Sequence, residues 1–214
     1  MTIKELYHQL DKLQSAKATE SKLSGVFHTY VGPNYGTDGS DVKLMLVGKA
    51  TAGWNLGGRP PGEDHSIEFL EKEIIPGKYH SSFWYFLKNL ALALHNDPKF
   101  ENDNEIFRSV VWSNVMKIAQ GGSNPSRDVA KMQRGICLEL LKQEVETLEP
   151  THLVFVTGNT YWRDVQNLLP VEWSDHASDY WEARYAKTKV FWTRHPQGWE
   201  RNRRDEVIDL IVHA

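Results

Sequence analysis

Short apolar runs that stop at glycine or polar residues alternate along this chain with segments of helical periodicity. The clearest runs span residues 42–48, 110–116 and 153–158. Runs of this length and apolarity are typical of strands buried on both faces, as in a parallel sheet with helical connections. The alternation predicts an α/β fold: a three-layer α/β/α sandwich with a short, mainly parallel central sheet. Further strands are predicted over Tyr180–Tyr185 and 189–193.

The segments between the strands predict helices and loops. Thr2 and Glu5 have capping-box spacing, and Ser126 is placed to cap a long helix. The predicted helices cover residues 2–18, 66–75, 81–95, 126–148, 159–169 and 199–212. Residues 21–41 and 49–65 are rich in glycine, proline and polar side chains, which predicts loops. We expect one domain over residues 1–214, with 1–41 as an N-terminal helix and loop extension.

Composition limits the class of protein. The chain has 25 basic and 28 acidic residues, a net charge of −3, which excludes a uniformly basic nucleic-acid coat protein but not a local basic face. The single cysteine, Cys137, excludes an internal disulfide and a cysteine-rich metal module, and is predicted to be an inert core thiol. No apolar run could span a membrane and the chain opens without a signal-peptide core, so we expect a cytoplasmic, monomeric protein with no membrane partner.

Common cofactor motifs are absent. Gly48 and Lys49 follow a predicted strand, but the sequence around them lacks the first glycine and the Ser or Thr of a phosphate loop. The nine histidines are scattered, and the closest acidic cluster, around His176, lies in a predicted solvated loop. We therefore predict neither a metal site nor a cofactor.

Residues suited to recognition follow three of the predicted strands. Residues 48–53 follow the first, 113–117 (Ser-Asn-Val-Met-Lys) end the second, and 194–199 (Arg-His-Pro-Gln-Gly-Trp) follow the last. In open α/β sheets, ligands bind beyond the carboxyl ends of the strands. We therefore expect Gly48, Asn114 and His195 around one pocket.

In this order the three motifs resemble those of the uracil-DNA glycosylase superfamily. Residues 81–87 look like the aromatic start of the helix that flanks the family's base pocket, and 148–158 look like its third strand with its lead-in. The resemblance extends from about residue 42 to residue 212. It implies a DNA glycosylase that flips out a deaminated or modified base and hydrolyses its N-glycosidic bond, with DNA as the partner.

The resemblance assigns roles to individual residues. His195 would donate a hydrogen bond to the base carbonyl as negative charge develops on the leaving base. Asn114 would recognise the base edge, and Phe83 would stack on the flipped base. The implied base-binding set is Gly48, Lys49, Ala50, Gly53, Trp54, Phe83 and Asn114.

The sequence departs from the family at two places. Family members usually have a carboxylate or an Asn at the second or third position of the first motif, where this chain has Lys49 and Ala50. Asp64, at the end of the same loop, is the candidate replacement for that catalytic acid, with Glu63 beside it. Residues 197–199 (Gln-Gly-Trp) replace the family's usual wedge, so the element inserted into the duplex would differ.

A basic stretch supports a nucleic-acid surface. Residues 194–204 contain four arginines against Glu200, a local charge of +3. The predicted DNA-binding residues are Arg194, Gln197, Trp199, Arg201 and Arg203. Two other functions remain open: a catalytically silent nucleic-acid-binding protein, favoured by the missing acid, and a hydrolase or binder of a nucleoside or small molecule, favoured by the acidic overall charge.

Overall fold

The computed structural model describes residues 1–21, 23–37, 39–51, 64–96, 102–120, 123–177 and 179–214, without the side chains of 18–21, 176 and 177. Its strands are β1 (Tyr30–Val31), β2 (Leu44–Gly48), β3 (Val110–Asn114), β4 (His152–Phe155), β5 (Ser174–Ala177), β6 (Tyr180–Tyr185) and β7 (Thr188–Thr193). They form one seven-stranded sheet in the order β1-β3-β2-β4-β7-β6-β5. The chain is therefore a mixed α/β protein.

The centre of the sheet is parallel and its two sides are antiparallel. Strands β3, β2, β4 and β7 run in one direction, with Gly48 opposite Asn114 where β2 and β3 end. Strand β1 pairs antiparallel with β3, β6 with β7, and β5 with β6. Strands β2, β3 and β4 confirm the strands that were predicted from the three apolar runs. Strands β1 and β5 lie where the sequence predicted loops, because a two-residue strand and a polar strand at the sheet edge carry no apolar periodicity.

The helices lie close to their predicted positions. They are α1 (Ile3–Ser21), α2 (His65–Phe69), α3 (Ser82–His95), α4 (Arg127–Leu148), α5 (Trp162–Leu168) and α6 (Arg201–His213). Helix α2 continues as a π-helical turn, Leu70–Ile74, and 3-10 turns span Asp103–Ser109 and Gly158–Tyr161. The capping box is confirmed, since the Thr2 N–H donates to Glu5 Oε2 at 2.8 Å and the Glu5 N–H to Thr2 Oγ1 at 3.3 Å. Among the described helices, none is long and apolar enough to cross a membrane.

Alternate residues of the parallel strands enter two separate hydrophobic clusters. Leu44 and Leu46 of β2 belong to a cluster that includes the buried residues of α3 and α6. Met45 and Val47 belong to the other, which includes buried residues of α1, α4 and α5. Cys137 lies fully buried in this second cluster, and burial raises the pKa of its thiol to about 12, as expected for an inert thiol.

A buried ion pair holds the end of β3. The Lys117 ammonium, fully buried, lies 3.2 Å from both oxygens of the Glu144 carboxylate. It also donates to Ser113 Oγ at 2.7 Å and to Thr29 Oγ1 at 2.8 Å, while the Tyr7 hydroxyl donates to Glu144 at 2.8 Å. Ser113 immediately precedes Asn114. The network therefore fixes the position of Asn114 at the carboxyl end of β3.

Replacing Lys117 with Met is expected to lower the free energy of unfolding by about 3–5 kcal/mol, because the Glu144 carboxylate stays buried without its counter-charge. The double variant Lys117→Met/Glu144→Gln should recover most of this loss, since no buried charge remains. Lys142→Met removes an exposed ion pair on α4, the helix that carries Glu144. It should lower the free energy of unfolding by no more than about 1 kcal/mol. Urea unfolding of the variants measures these differences. Equal losses for Lys117→Met and Lys142→Met would contradict the prediction.

Candidate functional site

A cavity of about 460 Å³ opens at the carboxyl ends of the parallel strands. Gly48 ends β2, Asn114 ends β3, and His195 lies two residues beyond β7. All three line this cavity, so the structure brings together the three strand ends that the sequence placed around one pocket. The other lining residues are Lys49, Ala50, Thr51, Phe69, Tyr79, Ser81, Ser82, Phe83, Trp84, Trp112, Asn124 and Gln197.

Gly48 is a steric requirement of the site. A Cβ atom at position 48 would lie 2.5 Å from Asn114 Oδ1 and 3.3 Å from Phe83 Cε2. The first distance is shorter than any ordinary non-bonded contact. The Asn114 amide can therefore adopt its observed position only if residue 48 is glycine. The register of β2 with β3, which puts Gly48 opposite Asn114, is thus what allows Asn114 and Phe83 to approach each other.

Asn114 presents an unused hydrogen-bond donor. Its side chain is 2% exposed, and no atom of the described residues accepts a hydrogen bond from Nδ2. A buried N–H without an acceptor costs about 1–3 kcal/mol, which an acceptor on a ligand would recover. Because the residue lines the cavity, its amide is suited to recognising a ligand edge that carries an acceptor.

His195 is a neutral hydrogen-bond donor at neutral pH. Burial, assisted by the positive charge of Lys49, lowers the pKa of His195 to about 4. Its Nδ1 accepts a hydrogen bond from the Gln197 backbone N–H at 3.2 Å. The ring proton of the neutral imidazole is therefore on Nε2. The cavity thus contains a histidine whose tautomer is set by the backbone of its own loop.

Phe83 and His195 form neighbouring walls of the cavity. Their ring centroids are 6.2 Å apart with an angle of 23° between the planes. A flat ligand between the two rings would need about 7 Å, twice the ordinary carbon–carbon contact distance. A planar ligand would therefore stack on one ring and meet the other at its edge. Phe83 is itself held by an edge-to-face contact with Trp84, with centroids 5.1 Å apart.

Lys49 gives the cavity a positive charge. It is partly buried, burial lowers the pKa of its ammonium, and it forms no ion pair with any described residue. No Asp or Glu occurs among the described residues that line the cavity. The sequence did not single out Gly158, which lies beside Lys49 and His195 and whose φ of +57° favours glycine. A Cβ there would lie at ordinary contact distances, 3.9 Å from Lys49 Cε and 3.6 Å from the His195 backbone nitrogen. Its position at the end of the third apolar run was the available signal.

The structure does not bring Asp64 to the cavity. Asp64 is exposed at the start of α2 and is not among the described lining residues. Gly53 and Trp54 of the predicted base-binding set, and Glu63 beside Asp64, lie outside the described residues. The described lining of the cavity therefore supplies donors and a positive charge but no carboxylate.

Two of the three arginines that were predicted to bind DNA lie beside acids. Arg203 pairs with Asp179 and, at 2.7 Å, with Glu206, while Arg201 Nε lies 4.0 Å from Asp205. Asp179 is distant in sequence, and Asp205 and Glu206 follow the stretch 194–204 whose charge was summed. These three acids compensate the local excess of +3 in the folded chain.

Among the other residues of this predicted surface, Arg194 is exposed and Gln197 both is exposed and lines the cavity. Trp199 is partly buried and packs edge-to-face on Phe86 of the core, with ring centroids 5.9 Å apart, so it is not a free platform for stacking. Only part of the predicted set is therefore available to DNA in the form expected.

The site combines one flat apolar wall, an amide with an unused donor, a neutral imidazole donor and an ammonium. This chemistry suits a planar ligand with carbonyl acceptors and stabilises negative charge that develops on it. No protein-family model matches the sequence, and no curated protein matches it. The interpretation of the site therefore depends on its own geometry.

Gly48→Ala is expected to displace the Asn114 side chain and abolish ligand binding in the cavity, and to destabilise the protein. Gly135→Ala is the matched control, because a Cβ at this exposed position of α4 meets nothing within 4 Å and alanine is the better helix former. It should stabilise the fold by up to about 1 kcal/mol. Thermal unfolding and ligand titration measure both effects. A Gly48→Ala protein with parental stability and binding would contradict this account.

His195 should titrate far below an ordinary histidine. Its imidazole should stay neutral from pH 8 down to pH 5, whereas in the unfolded chain it takes up a proton near pH 6.5. The unfolded state therefore binds more protons between about pH 6.5 and 4, and His195 makes the fold less stable as the pH falls through this range. NMR titration of the imidazole resonances measures the pKa directly. Lys49→Met should raise this pKa and the exposed Lys131→Met should not; a midpoint near 6.5 in the parent would refute the assignment.

Proposed function

We propose that the protein is a DNA glycosylase similar to those of the uracil-DNA glycosylase superfamily, built on a three-layer α/β/α sandwich. It flips a deaminated or modified base into the cavity at the sheet edge and hydrolyses the bond between base and deoxyribose. The observation that carries the proposal is the convergence of Gly48, Phe83, Asn114 and His195 on one cavity, with the Asn114 amide donor unpartnered among the described residues.

The cavity supports recognition of a base. Its volume of about 460 Å³ lies within the usual range for small-molecule sites. Phe83 offers a face on which a base can stack, and Asn114 offers both a donor and an acceptor to the edge of the base. A pyrimidine or a deaminated purine has a carbonyl and a ring nitrogen on that edge. The pairing of donor and acceptor is what would select among bases.

His195 and Lys49 support departure of the base. When the glycosidic bond breaks, its electron pair goes to the base, and the Nε2–H of neutral His195 can donate to the carbonyl on which this charge collects. The ammonium of Lys49 stabilises the same negative charge. Water then adds to the sugar carbon C1′ and loses a proton to solvent, and the base leaves as an anion that solvent protonates.

The positive charge of Lys49 also sets a limit on this chemistry. A cation near the sugar disfavours the positive charge that C1′ acquires as the bond breaks, which a carboxylate would stabilise. We therefore propose a reaction driven by stabilisation of the leaving group, which favours bases that form stable anions. Asp64 is the acid that the sequence offers for the opposite role, and no contact with the cavity supports it.

A catalytically silent base-binding protein is the second candidate. The absence of a carboxylate among the described lining residues favours it, since binding a flipped base needs the stacking wall and the amide but no acid. The two functions share every contact with the base. They differ only in whether the bond to deoxyribose is broken.

His195→Ala is expected to reduce the single-turnover rate of base excision by about 10²–10³-fold, the usual cost of losing one donor to a developing anion. DNA affinity should change much less, because the donor matters most once the charge has formed. The substrates are oligonucleotides with uracil, hypoxanthine, xanthine or a hydroxymethylated pyrimidine, and alkaline cleavage of the abasic product gives the rate. His213→Ala, which removes an exposed histidine at the end of α6, is the matched control and should leave the rate unchanged.

Each result separates the candidates. Excision by the parent that survives in Asp64→Asn supports the mechanism driven by the leaving group, and loss of excision in Asp64→Asn assigns the acid to Asp64. DNA binding by the parent without excision of any base supports the silent binding protein. Absence of DNA binding at low salt overturns both and leaves the nucleoside or small-molecule function.

A further inference from the structure

A second cavity, of about 290 Å³, adjoins the first. The two share Tyr79, Ser81, Ser82 and Trp84 as a common wall at the start of α3. Beyond this wall the second cavity extends between α3 and α6. The two cavities therefore lie side by side along the start of the same helix.

The second cavity is lined by two cationic side chains that have no acidic partner among the described residues. Lys88 of α3 and Arg204 of α6 line it together with His80, and no carboxylate occurs among its described lining residues. Within the part of the chain that the structure describes, neither Lys88 nor Arg204 forms an ion pair. This distinguishes Arg204 from Arg201 and Arg203 on the same helix, both of which face carboxylates.

Arg204 is held in place by an aromatic ring and not by an acid. Its guanidinium carbon lies 4.8 Å from the centroid of the Tyr85 ring, a cation–π contact that leaves the N–H groups at the edge of the guanidinium plane free. The Nε atom is buried and has no acceptor among the described residues. Such an orphaned donor on a fixed guanidinium is suited to an oxyanion, which guanidinium groups bind with paired hydrogen bonds.

Hydroxyl groups complete the polar lining. Ser81 and Ser82 belong to the wall common to both cavities. Ser81 Oγ accepts a hydrogen bond from the Trp84 N–H at 3.4 Å, which leaves its own proton available to a ligand. An oxyanion in the second cavity would thus meet cations on α3 and α6 and hydroxyls on the side that faces the first cavity.

We propose that the second cavity is a phosphate-binding subsite, in which Lys88 and Arg204 hold the phosphate of a nucleotide whose base occupies the first cavity. That the phosphate belongs to DNA rests on the proposed function; the preference for a phosphate oxyanion rests on the cavity alone. The contacts to the nucleic-acid backbone then come from Lys88 and Arg204 and not from Arg201 and Arg203, which the sequence favoured.

The test compares Lys88→Gln, Arg204→Gln and the double variant with Arg201→Gln, a matched control that removes an exposed arginine of α6. Binding of an oligonucleotide is measured at several salt concentrations. The double variant should bind about tenfold more weakly at low salt, and the slope of log K against log salt should fall by about one, because both side chains contact the same phosphate. Arg201→Gln should change neither. Circular dichroism and the Tm verify folding, and Lys88→Gln alone keeps the test valid if Arg204→Gln does not fold.

A second measurement identifies the source of the phosphate and is independent of base excision. Isothermal titration compares a deoxynucleoside monophosphate with its nucleoside. Tighter binding of the monophosphate by the parent, lost in the double variant, supports the subsite even if no oligonucleotide binds, and then overturns only the DNA function. If the double variant loses affinity for the oligonucleotide but not for the monophosphate, the subsite binds the backbone of the polymer. Parental behaviour of the double variant in both assays overturns the subsite.

Discussion

Asn114 Oδ1 occupies the space in which a side chain at position 48 would begin, and the arrangement of the cavity depends on this close approach. Parallel pairing of β2 with β3 sets the two residues opposite each other, and the glycine lets the amide and the Phe83 ring meet there. On the opposite face of β3, the Lys117–Glu144 pair and Ser113 hold the strand end so that it cannot withdraw. A tight contact on one side is thus maintained by a buried polar network on the other, which is the kind of support that a preorganised site requires.

The charges of the described residues determine which chemistry the cavity can promote. Burial keeps His195 neutral, and the nearby ammonium of Lys49 lowers its pKa further, so the imidazole donates a hydrogen bond without carrying a charge. Removing Lys49 would raise that pKa and at the same time remove the cation that stabilises an anionic leaving group. In the proposed reaction the two residues therefore act together on the base, and neither provides stabilisation for a sugar cation.

The sequence was sufficient for the parallel core and for the meeting of Gly48, Asn114 and His195, because buried strands leave apolar runs and parallel strands end at one edge of the sheet. It was not sufficient for β1 and β5, which are too short or too polar to show a period of two. It also could not show which arginines pair with acids. Arg203 is neutralised by Asp179, which approaches only in the folded chain, whereas Arg204 lies against Tyr85 of α3 and forms no ion pair with any described residue. Charge summed along a sequence cannot distinguish these two neighbours, since their partners come from different elements.

Helix α3 connects the two cavities, and this has a consequence for selectivity. Phe83 lines the first cavity, Trp84 lines both, and Tyr85 positions Arg204 in the second. Three consecutive residues at the start of one helix therefore contact the proposed base site, the common wall and the proposed oxyanion site. Because Ser81 caps this helix through the Trp84 N–H, the cap and the common wall are a single structural unit. A ligand that fills both cavities uses contacts whose relative positions are fixed by the geometry of one helical turn, so the spacing between base and phosphate becomes part of what is recognised. A free base or a free phosphate satisfies only half of this arrangement, and a nucleotide satisfies both halves.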